Sequence, residues 1–368
     1  MSNNLEITNN TGDQIDETEE FVKQHYGTVT YLEYFCRILP KIELHAHLNG
    51  SISKNSVCEL LKQKGNTSLK MPHFSKETFN LETCFEMFKF MHQLSNSEKN
   101  LRFIVKMVIQ EFFEDGCTYL ELRTTPRQLN NLTKAEYVEL ILEEIKLNPH
   151  DIFVSLLLSL DRRHTAEEAF EIVDLAIKAS NRSFNTGVVV GIDVCGDPYA
   201  GDFEIIKPAI LKAKALGLQS TIHLGEIDGR EFEINSMLET FPNRIGHGTF
   251  IPKNCLSEVY SKKIPVEVCL TSNVLCKTVK SIKDHHIKEY FFLEKHPCTD
   301  DKGIFFSDLS NEYVQLVLNF KLTKQEVFDL SKNAMKHTFL DSNIEDQLQV
   351  KNRIFDKFEK FRDQFNLI

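Results

Sequence analysis

Four absences narrow what this chain can do. It has no excess of positive charge: 43 lysines and arginines against 53 aspartates and glutamates give a formal net charge of −10 over 368 residues. Nucleic-acid backbones and anionic membrane surfaces call for a basic face, so neither is expected as a partner, and an anionic substrate would need its own local arginine. No CxxC pair occurs among the nine cysteines, which are scattered through apolar runs such as Val266-Glu-Val-Cys-Leu270. That argues against a disulfide framework or a cysteine zinc knuckle, and for buried thiols in a reducing compartment. No apolar run approaches the roughly 20 residues of a membrane span; the longest lies around 152–160. The first twenty residues are polar and acidic, without the basic start and apolar stretch of a secretory signal. We therefore expect a cytoplasmic chain with a disordered or loosely packed lead-in over 1–29 and one folded domain over 30–368.

Short apolar runs alternate with amphipathic helical patterns through that domain. The runs read as strands lie at 42–48, 118–123, 152–160, 188–194, 220–224, 244–247, 266–270 and 298–300. Helical stretches fall between them, for example at 166–181, 204–216 and 231–240, with Thr165 and Asp202 as N-caps and Gly217 as a C-terminal stop. Eight strand–helix units with nearly continuous apolar strands predict an α/β fold, a single (β/α)8 TIM-type barrel. A doubly wound open sheet would want a glycine-rich phosphate turn after its first strand, and none is present. Residues 50–116 are too many for one crossover helix and predict extra helices between strands one and two, near 53–63, 81–94 and 98–115. A charged amphipathic helix from about Asn343 is expected to pack on the barrel exterior.

Reactive side chains of such a barrel sit at the carboxyl ends of its strands. Leu44-His-Ala-His47 puts two imidazoles on one face of the first strand, because residues i and i+2 point the same way. A lone His-x-His is common by chance. Here His223 stands at the end of strand five and Asp300 at the end of strand eight, completing a set of nitrogen and oxygen donors suited to a catalytic Zn²⁺. Glu226, turned off its strand by Gly225, can reach a metal-activated water as a general acid or base, where the bland alternative is a loop glutamate. His247, between Gly246 and Gly248, can orient or deprotonate that water. Asp301 follows Asp300 and reaches the same mouth only if the chain turns there.

In combination, Leu44-His-Ala-His47, His223-Leu-Gly-Glu226, Gly246-His-Gly248, Cys269-Leu-Thr-Ser-Asn273 and Thr299-Asp-Asp301 resemble the adenosine/AMP deaminase family of zinc amidohydrolases, over about 39–339. Leu48-Asn-Gly-Ser-Ile52, Met91-His-Gln-Leu94, Glu121-Leu-Arg-Thr-Thr-Pro-Arg127, Leu160-Asp-Arg-Arg163 and Cys298-Thr-Asp-Asp-Lys-Gly303 look more like its adenosine deaminase-like branch, the N6-methyl-AMP deaminases. The resemblance implies one zinc per chain on His45, His47, His223 and Asp300, with His47 also beside the substrate. Glu226 would give a proton to the purine ring nitrogen next to the attacked carbon, and His247 would hold the attacking hydroxide in line. Asp301 would share a proton with the imidazole-ring nitrogen of the base, and the Gly196 amide would meet the remaining pyrimidine-ring nitrogen. The cysteine-ligated nucleobase deaminases share this chemistry, but their H-x-E…P-C-x-x-C pattern is absent.

One departure from adenosine deaminase proper bears on the substrate. That enzyme carries Asp where this chain has Asn49; a carboxylate would repel a 5′-phosphate and an amide does not. Arg127, with Thr124 and Thr125, can supply the charge and hydroxyl donors a phosphate needs, although a structural salt bridge is the plain alternative. His92, on the inserted helices, and Asp161, after strand three, complete the expected substrate contacts. The expectation is a monomeric hydrolase converting N6-methyl-AMP to IMP and methylamine, with adenosine deamination and a non-catalytic purine-binding protein as the competing readings.

Overall fold

The computed structural model describes residues 12–63, 69–75, 77–129, 132–288 and 295–368. Its strands are Lys41–His47 (β1), Cys117–Thr124 (β2), Phe153–Asp161 (β3), Val189–Cys195 (β4), Gln219–Leu224 (β5), Arg244–His247 (β6), Val266–Val268 (β7) and Lys295–Pro297 (β8). Each pairs in parallel with the next, in sequence order. A parallel bridge between Ala46 and Asp300 closes the ring. There the His47 amide donates to the Asp300 carbonyl at 3.0 Å, and the Asp300 amide to the His45 carbonyl at 2.8 Å. The fold is the (β/α)8 barrel that the alternation of strands and helices predicted.

β2 and β4 are buried along their whole length, as strands under a coat of helices must be. Their alternate residues differ in kind. Arg123 on β2 pairs with Asp193 on β4 and Glu267 on β7, each at 3.0 Å, and Arg244 on β6 pairs with Glu121 on β2 at 2.7 Å. These strands are not neighbours, so the contacts cross the lumen. Ion pairs therefore cross the lumen where aliphatic layers usually fill it, and Glu43, without a cation, is satisfied by the backbone amides of His45 and Thr299.

Two strands differ from expectation. β7 stops at Val268, and Leu270 opens the helix Leu270–Leu275. β8 lies upstream of the expected 298–300: its ladder ends at Pro297, paired with Val268, and Asp300 adopts φ +60°, a left-handed conformation that turns the chain there. Sequence pattern alone did not show this, because Cys298 prolongs the apolar run past the last ladder bond.

The crossover from β1 to β2 carries helices Lys54–Gln63, Leu81–Leu94 and Glu98–Glu114, close to the expected positions. Asn80 and Ser97 cap the last two, Asn80 in a reciprocal pair with Thr83. Leu81, Cys84, Met87, Met91 and Leu94 lie three or four residues apart and form the buried stripe of Leu81–Leu94. Of the lead-in expected to be loose, residues 1–11 lie outside the described residues. The rest holds a helix, Gly12–Tyr26, anchored by buried Val22 and Tyr26, and the Tyr26 hydroxyl donates to the Leu322 carbonyl at 2.9 Å. The helix Glu345–Phe365 packs Val350, Ile354, Phe358 and Phe361 inward, with Phe361 edge-on to Phe35. Among the described residues, no helix is long and apolar enough to cross a membrane.

Candidate active site

The histidines of β1 and β5 meet Asp300 at the carboxyl end of the barrel. His47 Nε2 lies 3.3 Å from His45 Nε2, 3.2 Å from His223 Nε2 and 3.4 Å from Asp300 Oδ1, and His45 Nε2 lies 3.3 Å from the same Asp300 oxygen. Two of the rings turn Nδ1 toward a carboxylate: His45 Nδ1 is hydrogen-bonded to Glu267 at 2.6 Å, and His223 Nδ1 lies 3.2 Å from Asp193 without forming a hydrogen bond. An imidazole that donates from Nδ1 keeps its lone pair on Nε2. Against burial and Arg123, Glu267 and Asp300 raise the His45 imidazole to about 9, yet a proton on its Nε2 cannot bridge all four atoms. A cation resolves the crowding. Four ligands about 2.0–2.1 Å from a zinc ion stand about 3.3–3.4 Å apart along the edges of a tetrahedron, close to the four spacings above, and His247 offers a further nitrogen to the same cluster. The residues thus fit a metal ion. Ser272 donates to Asp300 Oδ2 at 2.7 Å, leaving Oδ1 toward the histidines.

Around this cluster opens a cavity of about 570 Å³. Gly225, at φ +61°, turns the chain off β5, and a Cβ there would stand 3.1 Å from the Phe250 backbone. The turn brings Glu226 to 3.9 Å from His247 Nε2. Burial raises the Glu226 carboxyl to about 7 and drives the His247 imidazole well below its usual range, so the ring stays neutral. Asp301 lies against Gly50: a Cβ at position 50 would fall 1.6 Å from its Oδ1, an oxygen that is buried without a hydrogen-bond partner. Burial, and after it the adjacent Asp300, pushes the Asp301 carboxyl well above the usual range.

The expected substrate contacts line the same cavity: His47, Asn49, His92, Thr124, Thr125, Arg127, Asp161 and Gly196, with Glu226 and Asp301. Their engagements differ. Asn49 Oδ1 accepts from Ser95 Oγ at 2.9 Å, and Arg127 Nη2 reaches the same hydroxyl and, at 3.1 Å, the Ser95 carbonyl. Among the described residues no carboxylate forms an ion pair with Arg127, so the structural salt bridge does not form. Thr124 already shares a hydrogen bond of 2.7 Å with Tyr137, whereas Thr125 makes only a 4.0 Å contact with Cys195. Asp161 is gripped by Arg163 at 2.8 and 2.6 Å and rests on Gly196. Burial lowers the His92 imidazole to about 4.

Glu267, Asp193 and Ser95 are functional neighbours that the sequence motifs do not mark. A lone acid in each of the apolar runs Val266-Glu-Val268 and Ile192-Asp-Val194 was the available signal, since a buried charge requires a partner.

A family model described as adenosine deaminase matches residues 40–358. The chain is 41% identical over 337 residues to an N6-methyl-AMP deaminase of Danio rerio, covering 87% of this chain and 96% of that protein. Among solved structures, the Arabidopsis N6-mAMP deaminase aligns with a TM-score of 0.80 at 34% identity, over 89% of this chain and 99% of that one. Arabidopsis ADAL complexed with IMP gives 0.80 at 34%, over 90% and 99%.

Proposed function

The chain belongs to the adenosine deaminase family and is a deaminase; from that premise we propose that it hydrolyses N6-methyl-AMP to IMP and methylamine, using one zinc ion per chain. Zinc would be held by His45, His47, His223 and Asp300, and when bound it supplies the Lewis acidity that makes water a nucleophile at neutral pH. His247, neutral and 3.9 Å from Glu226, orients the attacking water. Glu226, with its carboxyl raised to about 7, still holds a proton near neutral pH and gives it to the ring nitrogen beside the attacked carbon. Asp301 keeps its proton and shares it with the imidazole-ring nitrogen of the purine, and the Gly196 amide donates to the remaining pyrimidine-ring nitrogen. The water oxygen bonds to the ring carbon and gives up its two protons, one restoring the proton Glu226 donated and one going to the methylamino nitrogen as the bond from that carbon breaks and methylamine leaves.

The observation that carries the nucleotide reading is Arg127. Its guanidinium lines the cavity, its Nε is buried without a partner, burial lowers its pKa, and among the described residues no carboxylate pairs with it. A half-buried cation without a counter-ion is costly, and a 5′-phosphate would neutralise it. Thr125 and the uncharged Asn49 complete a surface that does not repel that phosphate. The IMP bound in the Arabidopsis relative is the product this reaction would release. A panel pairing N6-methyl-AMP and AMP with their nucleosides tests the reading. The expected result is a kcat/KM for N6-methyl-AMP far above that for N6-methyladenosine or adenosine; a preference for the free nucleosides overturns it.

A further inference from the structure

One lumen side chain takes no part in the chemistry above, yet it touches both carboxylates that hold the metal-site histidines. Arg123 is wholly buried and stands level with His47 in the β1–β2 register. Its Nη1 donates at 3.0 Å to Asp193 Oδ1, the oxygen that lies 3.2 Å from His223 Nδ1. Its Nη2 donates at 3.0 Å to Glu267 Oε2, the oxygen that lies 2.6 Å from His45 Nδ1, and also to the carbonyl of Leu44, the residue before His45. The far oxygens are taken by other groups: Ser159 donates to Asp193 Oδ2 at 2.9 Å, while Thr221 and Arg244 donate to Glu267 Oε1 at 2.8 and 2.6 Å.

We propose that Arg123 is a positioning residue for the metal site, a single fork that fixes His45 and His223 together through Glu267 and Asp193. The proposal rests on the reading of the histidine–aspartate cluster as a metal centre. A guanidinium presents N–H groups at a fixed spread, so two carboxylates on opposite sides of the lumen are held at one separation and angle. Both imidazoles then keep Nδ1 toward carboxylate and Nε2 toward the metal. An ammonium has the charge but not the fork. Arg244 serves as the internal comparison: it is just as buried, also donates to the Leu44 carbonyl, at 3.4 Å, and also binds Glu267, but through the far oxygen, and it makes no ion pair with Asp193.

Zinc affinity of the purified full chain, measured by chelator competition, tests this alongside the visible spectrum of the cobalt(II)-loaded protein. Arg123→Lys is expected to weaken zinc binding by about 10–100-fold, the usual effect of losing a partner behind a metal ligand, and to shift the cobalt bands. Arg244→Lys is expected to lower thermal stability with much less effect on zinc or on the cobalt bands. If Arg123→Lys folds and keeps both the wild-type zinc affinity and the wild-type cobalt spectrum, or if Arg244→Lys weakens zinc equally, the proposal is overturned. Should Arg123→Lys fail to fold, Asp193→Asn, Glu267→Gln and their double variant decide the matter. A shared fork makes the double loss in zinc affinity smaller than the product of the single losses, whereas multiplicative losses refute it. A wild-type chain that takes up no zinc refutes the metal reading itself, and is told apart from these outcomes by that first titration.

Discussion

Replacing Asn49 with aspartate asks whether the cavity is built for a phosphate. The Asn49 side chain is buried, and its Oδ1 accepts from the Ser95 hydroxyl at 2.9 Å. Arg127 Nη2 touches that same hydroxyl, so a carboxylate at position 49 would stand one hydroxyl away from the guanidinium. Over a separation on the order of 5 Å, with an effective dielectric of about 20, two unit charges interact by about 3 kcal/mol. The new carboxylate would thus neutralise much of the attraction Arg127 offers an incoming phosphate and would repel that phosphate directly. Allowing for water in the open cavity, a loss of about 1–3 kcal/mol is expected, or roughly 5–150-fold in kcat/KM for N6-methyl-AMP. The nucleoside carries no phosphate, so N6-methyladenosine should change little or improve. The assay is kcat/KM for both substrates, at low and at high salt. An equal loss for both, or an undiminished rate with the nucleotide, would refute the assignment of Asn49 and Arg127 to the phosphate.

Glu226→Gln should keep the metal and the fold while cutting kcat by about 10²-fold or more, the scale of a lost general acid; undiminished turnover at full metal content would remove Glu226 from the reaction. Gly50→Ala should displace Asp301, since the added Cβ would fall 1.6 Å from its Oδ1, and a shift of about 1 Å in a catalytic group can cost about 10²-fold in rate. Unchanged kcat with unchanged metal content would show that Asp301 does not need its observed position. Stability carries a pH signature at Glu312, whose carboxyl accepts from the Thr271 amide at 3.1 Å and is raised to about 7 by burial. Between the ordinary value of 4.5 and about 7 the folded chain holds a proton there that the unfolded chain has lost, so stability falls as pH rises through that window. Glu312→Gln removes the effect: relative to wild type its Tm should be level or lower at pH 5 and higher at pH 8, with the full window worth at most about 3 kcal/mol. A difference in Tm that is the same at both pH values would contradict this.

Much of the barrel was legible because its elements carry local signals. The inserted helix Leu81–Leu94 has an apolar stripe and a capping residue, and β1 shows its alternation within seven residues. The signals failed where tertiary pairing overrules composition. Gly12–Tyr26 is acidic and polar, and Val22 and Tyr26 alone are too few to mark a buried face. β8 was displaced downstream because nothing local says that the ladder stops at Pro297 and that Asp300 turns left-handed to bridge β1.

The residues at the mouth were legible for a different reason. Once the topology is a barrel, every strand end faces one space, so His45, His47, His223, Glu226 and Asp300 need no pairing information to be brought together. The lumen is the opposite case. Arg123 meets Asp193 at a separation of 70 residues and Glu267 at 144, and each sits in an apolar strand where only its charge is visible. Sequence says that such a charge needs a partner, but not which one, because the choice depends on how eight strands close. The same closure forms the metal site. The backbone of Asp300 bonds to His45 and His47 across the seam between the last strand and the first, while its side chain meets their Nε2 atoms. The seam that turns an open sheet into a barrel is therefore built from residues of the proposed metal site. That is why motifs at the strand ends revealed the site, while the charges that orient it stayed hidden until the ring was closed.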